Sequence, residues 1–160
     1  MLYYNQKVKE VCPMTVYQIS PIENANLGIA RERALCAHYN IMRTKHDSLA
    51  YDKGSDLDVG DKHISIKASG FSLMSGSLCE GKTTFAEIWD LYQSRVHSNI
   101  FAYITMDYTV YEMNINEFKE FVFTFGRLCK ESSSHGGQLK IRCIKESGKA
   151  RKWLAEHSAN

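Results

Sequence analysis

Proline is nearly absent: only Pro13 and Pro21 occur, so from residue 22 onward nothing of that kind breaks a helix or strand. Long apolar runs are absent too. No stretch of about 18 uncharged apolar residues exists, which excludes a membrane-spanning helix. The first residues, Met1 to Lys7, lack a basic stretch leading into an apolar run, so no secretory leader is expected and a cytoplasmic location is. An excess of one charge is missing. Twenty Lys/Arg face 18 Asp/Glu for a net +2, so the chain as a whole is not an electrostatic glove for nucleic acid. None of the five cysteines (12, 36, 79, 129, 143) forms a CxxC pair, and none joins histidine at zinc spacing. They read as reduced core filler. The six histidines (38, 46, 63, 97, 135, 157) are scattered, and His63 beside a turn is expected at the surface. No phosphate loop, nucleophile elbow or dinucleotide fingerprint occurs. Ser132 to His135 supplies a serine and a histidine but no third member of a triad.

What is present is ordinary for a globular protein: 160 residues, 44% hydrophobic and 24% charged, enough for one domain over 1–160. Charge is unevenly spread. Residues 130–160 hold seven Lys/Arg against three acids, a balance of +4, and the preceding 129 residues balance at −2. A basic end on a slightly acidic body suits a polyanion partner, although a solvated helix face gives the same count.

Residues 1–25 read as an irregular lead-in with room for a short helix at 3–11. Apolar spacing predicts a helix over 26–39, capped by Asn24 or Asn26. Leu57 and Val59 alternate with Asp56 and Asp58, and Ile64 and Ile66 with Ser65 and Lys67. Gly60-Asp61 lies between, so the two segments predict a hairpin. Residues 69–81 are rich in Gly and Ser and read as a loop. Thr84 and Glu87 form a capping-box signature for a helix over 85–97. Strands are expected at 100–106, 110–113 and 139–144. Asn116 is expected to cap a helix running to about Cys129, and a last short helix is expected over 148–156. This order predicts an α/β domain with a central mixed sheet flanked by helices.

The hairpin carries the chemistry. Strand residues two apart share a face, so Asp56 and Asp58 form one pair and Ser65 and Lys67 another, with apolar neighbours facing the other way. A register that brings these faces together sets carboxylates beside an ammonium. That is what a hard-metal phosphodiester site needs: oxygens for Mg²⁺ and a cation to orient water or stabilise the anionic transition state. The arrangement Asp56…Ser65-Ile66-Lys67 resembles the PD-(D/E)xK superfamily, the restriction-endonuclease-like nucleases. The resemblance spans about residues 26–106, where the expected element order also matches that family's helix, three strands, helix and strand. It departs at Ser55, where the family motif has Pro, and at Ser65, which replaces the acid of acid-x-Lys.

The resemblance implies a Mg²⁺-dependent DNA endonuclease of restriction or homing type, with Mn²⁺ as a substitute and products carrying 5′-phosphate. Asp56 is then the primary metal ligand and Lys67 positions the attacking water. The carboxylate missing at Ser65 is expected from Glu32 first, Glu80 second and Glu87 third, though the capping box already accounts for Glu87; Asp58 also completes the site locally. Ser69, Ser72 and Ser75 in the small-residue loop are candidate DNA contacts, or simply parts of a flexible linker. Lys82, Lys140, Arg142, Lys149, Arg151 and Lys152 are candidate phosphate contacts, and Arg31 and Arg33 flank Glu32, where one lies near a held phosphate or pairs with a surface acid. Cutting both strands of double-stranded DNA needs two copies, so a homodimer is expected. Two alternatives stand beside this reading: a catalytically inactive nucleic-acid-binding module of the same fold, and an unrelated phage-type α/β interaction protein.

Overall fold

The computed structural model describes residues 14–22, 28–40, 56–68, 70–73, 82, 84–130, 139–143 and 146–158. The predicted hairpin is present as strands β2 (Leu57–Val59) and β3 (Lys62–Ala68), paired antiparallel with Leu57 opposite Ile64. Gly60 makes the turn at φ 61°, a left-handed conformation that glycine adopts without a Cβ clash. Asn99 pins that turn: its Oδ1 accepts from His63 N–H at 2.7 Å, and its Nδ2 donates to the Asp61 carbonyl at 2.9 Å.

β3 pairs in parallel with β5 (Ile100–Ile104), with Ile64 opposite Ile100 and Lys67 opposite Tyr103. Parallel neighbours need a crossover, and α2 (Phe85–Arg95) lies within it. Its Thr84–Glu87 capping box forms as expected, with Glu87 N–H donating to Thr84 Oγ1 and Thr84 N–H to Glu87 Oε1. β6 (Thr109–Met113) returns antiparallel to β5, and β1 (Thr15–Gln18) adds to its outer edge. The five-stranded mixed sheet therefore runs β1-β6-β5-β3-β2. The domain is α/β, as its pattern predicts.

Alternation along the strands builds a core on each face. Ile64, Ile66, Leu57, Ala102, Ile104 and Val110 pack with Ala34 and Leu35 of α1 (Gly28–His38) on one side. Phe101, Tyr103 and Met113 pack on the other with Trp89 and Tyr92 of α2, Phe118 and Phe121 of α3 (Ile115–Phe125), and Leu154 of α4 (Gly148–Ser158). Phe101 and Phe118 stack with centroids 4.5 Å apart. No helix among the described residues is long and apolar enough to cross a membrane.

Several expectations are corrected. The irregular lead-in contains β1, because Thr15 to Gln18 pairs with the exposed flank of β6; the short helix at 3–11 lies outside the described residues. The strand at 100–106 ends at Ile104, because Met106 and Asp107 turn the chain into β6. The cap of α3 is Asn114, not Asn116: Asn114 Oδ1 accepts from Glu117 N–H while Glu117 Oε1 accepts from Asn114 N–H, both at 2.8 Å. That helix stops at Phe125 rather than Cys129, since Gly126 ends it and opens β7 (Gly126–Lys130). β7, β8 (Leu139–Cys143) and β4 (Ser72–Leu73) form a second sheet in the order β4-β8-β7, so part of the supposed 69–81 loop is strand.

A buried acid ties the α1 side together. Glu112 of β6 has a side chain only 3% exposed. It accepts hydrogen bonds from the Tyr17 hydroxyl and from the Tyr39 hydroxyl at 2.7 Å, and pairs with Lys62 Nζ at 3.2 Å. The acid thus joins β1, the end of α1, β3 and β6. Burial raises the Tyr17 phenol above its usual range, and the hydrogen bond to Glu112 adds to this. Tyr39 is raised chiefly by burial, although its contact with Tyr17 works the other way. Burial pulls Lys62 down, but the charge and hydrogen bond of Glu112 outweigh it and the ammonium is held more firmly. All three groups bind their protons more tightly folded than unfolded, so they stabilise the fold fully at lower pH and lose that contribution as pH rises. The urea midpoint is therefore expected to fall above the ordinary values of 10.0 for tyrosine and 10.5 for lysine. Denaturation followed across alkaline pH checks this, and Tyr17→Phe should flatten the decline.

Candidate active site

Asp56 precedes β2 and continues the hairpin ladder with its side chain. Its N–H donates to the Ile64 carbonyl at 2.8 Å, and its Oδ2 accepts from Ile66 N–H at 2.8 Å. The carboxylate is thereby fixed on β3 between Ser65 and Lys67. Ile64 and Ile66 face α1, so Ser65 and Lys67 face the α2 side. Ser65 is buried; Lys67 is half-buried, with Nζ 5.7 Å from the centre of the Phe71 ring. The carboxylate and the ammonium thus belong to neighbouring positions of one hairpin.

Tyr92 of α2 closes this side, a residue that the sequence did not single out. Its side chain is buried and its hydroxyl has no hydrogen-bond partner among the described residues. Burial raises its pKa, and the negative charge of Asp56 raises it further. The phenol therefore stays protonated. No local signal marks it, because Trp89 and Tyr92 read only as the apolar stripe of a helix.

The other predicted ligands are spread out. Asp58 holds His63 at 2.8 Å beside the turn, where both side chains are about half exposed. His63 is at the surface, as expected. Glu32 stands on α1, which packs on the opposite face of the sheet. Glu87 serves its capping box, and Glu80 lies outside the described residues. Among the described residues, no three His, Cys, Asp or Glu side chains are close enough to hold one metal ion.

The basic candidates divide similarly. Ser69 and Ser75 lie outside the described residues. Ser72 pairs in register with Arg142, and Arg142 with Arg127, giving one cross-strand row over the second sheet. Arg127 joins that row only because β7 is a strand. Lys140 stands opposite Cys129 in the same ladder. Lys82, Lys149 and Lys152 are exposed, and Arg151 pairs with Glu146 at 3.2 Å. The chain matches no protein-family model, and no curated protein or solved structure is significantly similar to it.

Proposed function

We propose that the protein is a Mg²⁺-dependent DNA endonuclease of the restriction-endonuclease-like fold, with Asp56 and Lys67 at its centre. The observation that carries this reading is the fixing of Asp56 on β3: its carboxylate sits on Ile66 N–H, one residue from Lys67, on the hairpin that precedes a parallel partner strand. The succession from α1 through β2 and β3 to α2 and β5 supports it, because it follows the family's core order with two strands of the central sheet between the helices.

The donor set fits a hard cation held lightly. Mg²⁺ takes one or two carboxylates and keeps waters and phosphate oxygens as its other ligands. Asp56 would be the first such ligand, and Glu32 or else Glu80 the second. When bound, the ion supplies positive charge that polarises the scissile phosphate. Lys67 orients the attacking water and offsets charge developing on phosphorus. The Ile66 N–H keeps Asp56 from turning away. The Ser72, Arg142 and Arg127 row and the exposed lysines of α4 contact the flanking phosphates. Two copies of the chain cut the two strands.

A second reading has its own support. Ser65 in place of an acid, and the lack of a three-ligand cluster among the described residues, favour a nucleic-acid-binding module that has lost cleavage. Nicking of supercoiled plasmid with Mg²⁺ separates the two. Wild type is expected to cut, and Lys67→Ala to cut roughly a hundredfold more slowly. Salt-dependent DNA binding without any cutting selects the binding module, and neither activity removes both.

A further inference from the structure

Arg31 lies in the opening turns of α1 and is 5% exposed. A guanidinium so far from water ordinarily sits against a carboxylate, because an unpaired buried cation is costly. Arg31 has no such partner among the described residues. Its Nη1 donates to the Ile104 carbonyl at a long 3.4 Å, and its Nε finds no acceptor. The buried acid on this side, Glu112, is held instead by Lys62 and two tyrosines.

The location gives this shortage a meaning. Ile104 ends β5, and in the parallel partner β3 Ala68 lies opposite Ile104 and Lys67 opposite Tyr103. Arg31 therefore reaches the carboxyl-end rim of the parallel pair, the rim where open α/β sheets bind ligands. α1 has no acidic residue in its first turn, and the positive end of its dipole lies there.

We propose that Arg31 is the receptor for an oxyanion of the phosphate class at the rim of β3 and β5, beside the first turn of α1. A phosphate oxygen supplies the acceptor that Nε lacks, and the planar guanidinium suits a two-pronged contact. The long bond to Ile104 is weak enough to be exchanged for it. Free phosphate and the phosphodiester of nucleic acid share this chemistry. The site itself does not depend on cleavage; only the second source rests on the nuclease reading.

The test is thermal unfolding of the full chain in inorganic phosphate against chloride at equal ionic strength. Wild type is expected to gain roughly 5 °C when phosphate exceeds its dissociation constant about a hundredfold. Arg31→Met, which keeps bulk without charge, is expected to show no gain while melting in chloride no lower than wild type. A wild type that ignores phosphate, or a variant that melts far lower and still responds, overturns the proposal. If Arg31→Met does not fold, Arg31→Lys serves: it should bind phosphate about tenfold more weakly, and an unchanged response overturns the proposal. A second arm measures binding of a short DNA duplex without divalent cation. A salt slope lower by about one in the variant identifies the phosphodiester as the occupant. An unchanged slope with the phosphate response lost identifies the free anion. A chain that binds phosphate through Arg31 but never cuts DNA keeps this site and loses the nuclease.

Discussion

Asp56→Asn is expected to slow plasmid cleavage by roughly a thousandfold while leaving the fold intact. The substitution separates two jobs of one side chain. The amide oxygen still accepts from Ile66 N–H, the bond that now holds Oδ2 at 2.8 Å, so the ladder between the segment before β2 and β3 persists. What disappears is the negative charge, and with it the proposed hold on Mg²⁺. The cost in stability should stay below about 1 kcal/mol, since a neutral hydrogen bond replaces one to a charged acceptor. Asp58→Asn is the matched control. Its carboxylate is taken up by His63 beside the turn, and Asn99 holds that turn independently, so cleavage should change little. Rates of plasmid nicking and urea midpoints for both variants decide the matter. Equal effects of the two substitutions, or full activity in Asp56→Asn, would remove Asp56 from the centre of the site.

The hairpin was readable because it is local. Alternation over a few residues fixes which side chains share a face, and Gly60-Asp61 announces the turn, so the neighbourhood of Asp56 and Lys67 follows from the chain itself. Local alternation carries no information about where distant segments meet. β1 and β4 are short and look like loop, and each exists as strand only through a partner far along the chain, β6 or β8. The end of α3 was missed for a different reason: Phe125 and Leu128 keep the helical spacing, so the apolar pattern continues past Gly126 into a segment that pairs as β7. The side of the sheet on which α1 rests is equally invisible in its own residues. Hence Glu32, attractive by position in the chain, stands on a helix that packs on the other face of the sheet from Lys67, and Tyr92 is buried on the Lys67 side from a helix about thirty residues on. Arg31, expected beside Glu32 either near a held phosphate or paired with a surface acid, is buried, because the periodicity that buries Ala30, Ala34 and Leu35 carries it inward too.

Glu112→Ala is expected to cost about 3–5 kcal/mol, the largest loss of stability from a single polar substitution in this protein. In sequence Glu112 is the polar member of an alternating strand and suggests a solvated position. In the fold it is covered, and three donors from three other elements converge on it. Removing it leaves the hydroxyls of Tyr17 and Tyr39, 3.0 Å apart, with only each other in a partly dry space and Lys62 beside them without its counter-ion. Glu112→Gln should cost less, since an amide oxygen still accepts one hydroxyl, and Lys62→Met less again, because the lysine is 42% exposed and its pairing is screened by water. The order Ala, Gln, then Lys62→Met in urea midpoints at neutral pH is the signature of a buried acceptor; equal small effects would mark Glu112 as dispensable. The damage should also be localised. Among the described residues β1 is an edge strand that pairs with β6 and is tied down by this cluster, so its amides should exchange with solvent faster in Glu112→Ala than those of β3 and β5. Because Asp56 and Lys67 lie on the other face of the sheet, cleavage measured where Glu112→Ala remains folded should match wild type. A proportionate loss of cleavage would mean that the two faces are coupled through β3, the strand that carries Lys62 to one cluster and Lys67 to the other.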